Sequence, residues 1–171
     1  MSKKKPTGTS LDSLMDMLAD KDGMVRQGAR ESLVALGRPA VSSLIRALRH
    51  SESDQVRWEA AKALGAINDA RSIPTLVEAL SDSNSDVAWL AAEALIKFKK
   101  AAWLALFEML IKSGSDSPIL RQGAHHVLWK QKADGFNDLL KTLIEALDSS
   151  TDPESATVAA YEILKRMRTT S

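Results

Sequence analysis

The side chains in this sequence with the greatest potential for chemistry are two adjacent histidines and three glutamates in helix-like segments. His125 and His126 point about 100° apart on a helix, and no third ligand follows at helical spacing, so the sequence does not predict a metal site. Glu59, Glu93 and Glu162 have no base or nucleophile at a readable spacing. We therefore expect no catalytic residue, no metal and no cofactor, and we interpret the three glutamates as solvated helix faces.

The composition excludes several other classes of function. The chain has 171 residues, of which 44% are hydrophobic and 26% charged, as in an ordinary globular domain. Because 23 basic and 22 acidic residues give a formal charge of +1, a nucleic-acid partner is disfavoured. There are no cysteines, and no apolar run approaches the roughly 18 residues that cross a bilayer. The expected compartment is the cytoplasm, with no membrane contact.

The helices that must position any site recur along the chain. The segment from Val56 to Leu64 returns, with the same apolar pattern, as the segment from Val87 to Leu95, an offset of 31 residues. Such a period is typical of stacked supersecondary units. An apolar stripe from Ile73 to Leu80 precedes the second copy, so each unit is predicted to be helix, turn, helix. We predict a disordered basic tail over 1–10 and a single domain over 11–171, with helix pairs near 11–37, 38–68, 69–100, 101–135 and 136–171.

The turns and the core follow the same division. Ser117 and Asp152 each precede a proline and are predicted to cap a second helix, whereas Gly37 and Gly65 are predicted to end one. We expect Trp103 and Phe107 to be core residues. The many alanines of the second helices are expected to let neighbouring helices approach closely, and stacking then buries each apolar stripe.

These residues resemble HEAT repeats, specifically the short HEAT-like repeats of phycobilisome lyases. The resemblance is strong over 38–100, fair over 11–37 and weaker after Ala101. It implies an all-α fold, a right-handed α-α superhelix (solenoid) of about five HEAT-like helix pairs, whose second helices line the concave face. The matching motifs are Val56-Arg57, Ala60-Ala61, Ala63-Leu64-Gly65, Asp69 to Pro74, Leu76 and Ala79-Leu80. The family's acid and arginine around the key valine are incomplete here, so a continuous Asp–Arg ladder between repeats is not expected.

The resemblance implies binding as the function: a non-enzymatic scaffold or adaptor that holds a protein or peptide on its concave face. Two alternatives come from the same resemblance. One is a bilin lyase or chromophore-handling subunit, since a minority of the family are bilin lyases. The other is a DNA-binding protein, since a more distant HEAT-like group are DNA glycosylases.

One row of equivalent positions is the candidate binding surface. It lies two residues after the key valine position of each repeat and comprises Gln27, Trp58, Trp89, Gln122 and Val158. Two neighbouring exposed tryptophans would anchor a partner, but tryptophan in this slot can equally pack between repeats. Both interpretations stay open at this point.

We predict partner contacts on the concave face at six positions. His125 and Tyr161 occupy the same slot in successive repeats and could be neighbours, which would extend an aromatic end of the groove. A monomer is the default expectation and self-association the alternative, because no conspicuous polar capping repeat closes either end. The six predicted partner-binding residues are Trp58, Trp89, Lys62, Glu93, Gln122 and Tyr161.

Overall fold

The computed structural model of this chain describes residues 10–113, 117–149 and 153–169, and within these ranges it contains helices and no strand. The α-helices are α1 Leu11–Asp16, α2 Gly23–Leu36, α3 Arg38–His50, α4 Asp54–Ile67, α5 Ile73–Glu78, α6 Ser85–Phe98, α7 Trp103–Lys112, α8 Pro118–Leu128, α9 Asn137–Asp148 and α10 Pro153–Thr169. Short 3-10 segments extend α1 at Met17–Ala19 and α5 at Ala79–Ser81, and others precede α5 and α7. The predicted all-α superhelix of helix pairs is confirmed. No helix in the described ranges is long and apolar enough to cross a membrane.

The second helices of the first four pairs begin at polar caps that recur with the repeat. Each cap is a side-chain oxygen that accepts a hydrogen bond from a backbone N–H of the first turn, which would otherwise have no partner. The cap residues are Asp22, Ser53, Asn84 and Ser117. The predicted cap at Ser117 is confirmed, and the one predicted at Asp152 lies outside the described residues.

The ends of the second helices show a second recurring feature, backbone with positive φ. Gly37, Asn68 and Lys99 stand 31 residues apart, with φ of 67°, 55° and 51°. The prediction that Gly65 ends α4 is wrong, because α4 continues to Ile67 and Asn68 takes the left-handed position. Gly65 is instead buried inside the helix against α6.

Successive pairs stack in two layers. First helices α1, α3, α5 and α7 form one layer, and second helices α2, α4, α6 and α8 form the other. The second-helix layer is held closely together by small side chains, as predicted, with Ala60, Ala63, Ala91 and Ala94 all buried. The predicted core residues Trp103 and Phe107 are also buried.

The last pair exchanges the two layers. Helix α9 packs on the second helix α8, whereas α10 packs on the first helix α7. The segment between α8 and α9 is anchored on the start of α7, where Trp103 Nε1 donates to Gln131 Oε1 at 2.6 Å and the Phe136 ring packs edge-on against Trp103 at 5.8 Å. This anchoring leaves α9 beside α8, and α10 then covers the apolar side of α7.

Arginines at the position after the key valine join consecutive pairs, but through different partners. Arg57 of α4 forms two hydrogen bonds with the Asp82 carboxylate at 2.8 and 2.9 Å, and the hydrogen bond raises the pKa of Arg57. Arg121 of α8 instead donates to main-chain carbonyls at the end of α9, including that of Leu147 at 3.0 Å. A carboxylate thus takes part in only some of these inter-pair contacts among the described residues.

Candidate functional site

The exposed side of α2, α4, α6 and α8, here called the second-helix face, carries two adjoining grooves. The first groove, of about 390 Å³, lies between α2 and α4 and contains Arg26, Arg30, Trp58 and Lys62. The second groove, of about 590 Å³, lies between α6 and α8. Asp86, in the first turn of α6, lines both grooves, so they form one continuous surface.

Trp58 is half-buried and already has partners within the chain. Its ring packs against the core, with Lys62 Nζ 4.4 Å and Arg30 Cζ 5.8 Å from the ring centroid. These distances are typical of cation–π contacts. Of the two interpretations of the tryptophan row, Trp58 therefore fits packing between helices.

Trp89, the equivalent residue one repeat later, is 55% exposed. It lines the second groove, which is left open because Ala88, Ala92 and Gly123 have small side chains or none. A Cβ at position 123 would come within 3.2 Å of the Leu80 side chain, which would have to shift to accommodate it. Trp89 therefore offers most of its ring to solvent beside an open groove.

Glu59 was expected on a solvated face, and this prediction is wrong. Its side chain is only 3% exposed and lies beneath the first groove. Its carboxylate contacts Arg30 Nη1 at 2.5 Å and Arg26 Nε at 3.4 Å, and it accepts from Gln55 at 3.3 Å. The two cations come from α2, the second helix of the preceding pair, and their charge compensates for the loss of water around the carboxylate.

Glu93 and His126 link the two walls of the second groove. Glu93 Oε1 of α6 lies 2.8 Å from His126 Nε2 of α8. His125, on the same helix, packs its ring 5.7 Å from the Trp129 ring and contributes to the groove lining. No cluster of three or more His, Asp or Glu side chains suited to a metal occurs in the described ranges.

The predicted site residues separate into three places. Trp58 and Lys62 lie together in the first groove, whereas Trp89 and Gln122 line the second groove, where Glu93 pairs with His126. Tyr161 does not join them, because the layer exchange carries α10 to α7, and the tyrosine lies in a cleft with Ile111 and Leu164. Tyr161 is thus not placed beside His125 as expected, and the same exchange removes Val158 of α10 from the row.

Two residues of the second groove were not predicted as site residues. Ile119 is 53% exposed on the wall formed by α8, and Asp86 lies on the wall formed by α6. The two occupy equivalent positions in successive second helices, where α4 has Gln55. The signal for Ile119 was an apolar residue in a slot that is polar in the two preceding repeats, where Gln55 and Asp86 stand.

The fold and this face define a class: an α-helical superhelix of stacked pairs whose second helices present a grooved surface. Residues 41–129, more than half of the chain, match the family of HEAT repeats, and the chain belongs to that family. No significant relative is found among curated proteins.

A solved structure of similar fold covers nearly the whole chain. It is a chain of the complex of CpcE and CpcF of phycocyanin lyase from Nostoc sp. PCC7120. The TM-score is 0.60 at 22% identity, over 90% of this chain and 97% of that chain. At this identity the similarity shows a shared fold alone.

Proposed function

We propose that this protein is a non-enzymatic interaction module that binds a segment of a protein partner on its second-helix face. The observation that carries the proposal is Trp89, 55% exposed beside an open groove of about 590 Å³. Large aromatic residues next to a pocket are the usual energetic anchors of protein interfaces. Stacked helical repeats also supply the extended surface that such a segment needs.

The exposed apolar residues that would anchor a partner lie in the second groove. Trp89 on α6 faces Ile119 on α8, and both side chains are more than half exposed. Trp58 supports the neighbouring surface from its packed position, and Gln122 offers an amide to a partner's backbone. The proposed surface does not include Tyr161, which lies in the cleft between α10 and α7.

The test compares Trp89 with an exposed apolar residue elsewhere. A partner is captured from the native host's lysate and purified, and its Kd is measured by calorimetry against wild type, Trp89→Ala and Leu104→Ala. Leu104 is the control because it is 49% exposed on α7, in the other layer. We expect Trp89→Ala to weaken binding at least tenfold, as for an interface hot spot, and Leu104→Ala to leave it unchanged. Equal Kd values for wild type and Trp89→Ala would overturn the proposal.

Handling of a bilin chromophore is the second candidate, supported by the similar fold of the phycocyanin lyase chain. A bilin needs an aromatic surface and cations for its propionates. The first groove combines Trp58 with Lys62 and Arg30, whereas no lysine or arginine lines the second groove as described. The test is incubation with bilin and an apo-phycobiliprotein, read by absorbance, with Lys62→Gln as the variant. An unchanged spectrum for the wild-type protein would eliminate this candidate.

A further inference from the structure

The two equivalent tryptophans of the second-helix face differ in their charged surroundings. At Trp58 the protein itself shows what this slot accommodates: Lys62 Nζ lies 4.4 Å and Arg30 Cζ 5.8 Å from the ring centroid. Lys62 is one turn further along α4, and Arg30 belongs to the preceding second helix. The ring of Trp58 is thus bound by cations of its own chain.

One repeat later, the equivalent positions carry a side chain of opposite charge or a small uncharged one. Glu93 stands where Lys62 stood, and Ala61 stands where Arg30 stood. Asp86 likewise replaces Gln55, three residues before the tryptophan. The cation–π contacts found in the described ranges include none at Trp89. Its exposed ring is therefore flanked by two carboxylates, where Trp58 has cations.

The two carboxylates lie on the same side of α6 as the ring, since positions three and four residues apart are neighbours on a helix. The Glu93 carboxylate contacts His126, whereas no ion pair is found for Asp86 within the described chain. The third acid of the groove, Asp82, is already neutralised by Arg57 at 2.8 Å. Asp86 is the carboxylate that remains available to a partner.

From this difference we infer that the second groove binds a lysine or arginine side chain of the protein partner. The cationic group lies over the Trp89 ring and pairs with Asp86, and its aliphatic stem lies along Ile119 and Ala92. In the first groove Lys62 already lies 4.4 Å from the Trp58 ring centroid, so the partner's cationic group is directed to Trp89 in the second groove. This inference rests on the proposed function and specifies the chemistry of the partner at that site.

The test uses peptides selected against the whole protein. A displayed library of random heptapeptides is selected on the wild type, the strongest binders are synthesised, and their Kd values are measured by fluorescence anisotropy. Each peptide is also made with its basic residue replaced by norleucine, which keeps the stem and removes the charge. The protein variants are Trp89→Ala, Asp86→Asn and Glu93→Lys. The control is Glu108→Lys, which makes the same charge change on an exposed position of α7.

The expected result is a lysine or arginine in the selected peptides and about tenfold weaker binding of the norleucine versions to the wild type. Asp86→Asn should weaken binding of the parent peptide and reduce the difference in Kd between the parent peptide and its norleucine version. Glu93→Lys should weaken binding of the parent peptide further, because the new lysine places beside Trp89 a cation equivalent to Lys62 beside Trp58. Glu108→Lys should have no effect beyond a small change common to all peptides.

Two other results would each overturn the inference and can be told apart. Peptides whose binding requires Trp89 but is unchanged by norleucine would disprove that the groove binds a basic side chain. They would remain consistent with the proposed function. Peptides that bind Trp89→Ala as well as wild type, or a selection without enrichment, would disprove the proposed function as well.

Discussion

Gly65 of α4 lies against Ala94 of α6 so closely that a Cβ on the glycine would come within 2.9 Å of the Ala94 Cβ. The close approach of these helices, which positions Trp58 and Trp89 on one face, thus depends on a missing methyl group. Gly65→Ala should destabilise the protein by about 1 kcal/mol, because overpacking outweighs the gain in helix propensity. The free energy of unfolding in urea, followed by circular dichroism, measures this change.

Gly28→Ala is the matched control for that substitution. Gly28 is also within a second helix, α2, but nothing lies within 4 Å of a Cβ placed there. Alanine should therefore stabilise the protein by about 0.5–1 kcal/mol through helix propensity alone. If both variants were stabilised alike, the close contact between α4 and α6 would not constrain position 65.

The buried carboxylate of Glu59 should contribute strongly to stability. Glu59→Ala removes the acid that neutralises Arg26 and Arg30, and the two cations then remain half-buried without it. We expect a loss of about 3 kcal/mol in the free energy of unfolding. The exposed Glu162, whose contact with Lys165 is 4.0 Å long, is the control, and Glu162→Ala should change stability by less than about 0.5 kcal/mol. Equal effects would contradict the buried pairing of Glu59.

Trp58 should contribute mainly to stability, whereas Trp89 should contribute little to it. Trp58→Ala should lower the free energy of unfolding by about 2 kcal/mol, because a half-buried ring and its contact with Lys62 are lost. Trp89→Ala should change it by less than about 0.5 kcal/mol, because most of that ring is in solvent. Urea unfolding of both variants measures the difference. A large destabilisation by Trp89→Ala would mean that Trp89 packs between repeats and is not an exposed anchor.

The turn before α5 should make stability depend on pH in the acid range. Asp69 accepts hydrogen bonds from the Arg71 side chain at 2.9 Å and backbone at 3.0 Å, and these lower the pKa of the carboxyl to about 2, with a smaller contribution from the Arg38 charge. Because the folded pKa lies below the ordinary value of 3.8, the stabilisation is complete above about pH 4. It is lost as the pH falls towards 2.

Asp69→Asn should accordingly be less stable than wild type at pH 7, and the difference should shrink between pH 4 and pH 2. Urea unfolding at a series of pH values measures it. Arg71→Gln should reduce the same pH-dependent difference, because it removes the main cause of the lowered pKa. A difference between wild type and Asp69→Asn that stayed constant down to pH 2 would refute this account.

The exchange of layers in the last pair can be tested with one spin label. The chain has no cysteine, so Tyr161→Cys gives a single attachment site. The label should broaden amide signals of α7 near Ile111 more strongly than those of α8 near His125, since α10 packs on α7. The opposite pattern would mean that the last pair stacks like the others.

Local features of the chain were predictable from the sequence. The 31-residue period identified the helix pairs, and the apolar spacing identified core residues such as Trp103 and Phe107. The cap at Ser117 was readable as well. The cap and the apolar spacing depend on side chains within a few turns of one helix, and the period is a direct comparison of sequence segments, so none of them requires knowledge of tertiary contacts.

Other features depend on neighbours that are distant in sequence. Glu59 is buried because two arginines of α2 cover it, and one of them, Arg30, also lies 5.8 Å from the Trp58 ring. The repeat pattern placed Tyr161 in the same slot as His125, on the face that carries Trp89, but α10 stacks on α7. The sequence by itself determined the helices, their pairing and most of their buried faces. Only the tertiary structure decided which helix covers which face and which charges meet there, because an amphipathic helix specifies the side that must be covered and not the element that covers it.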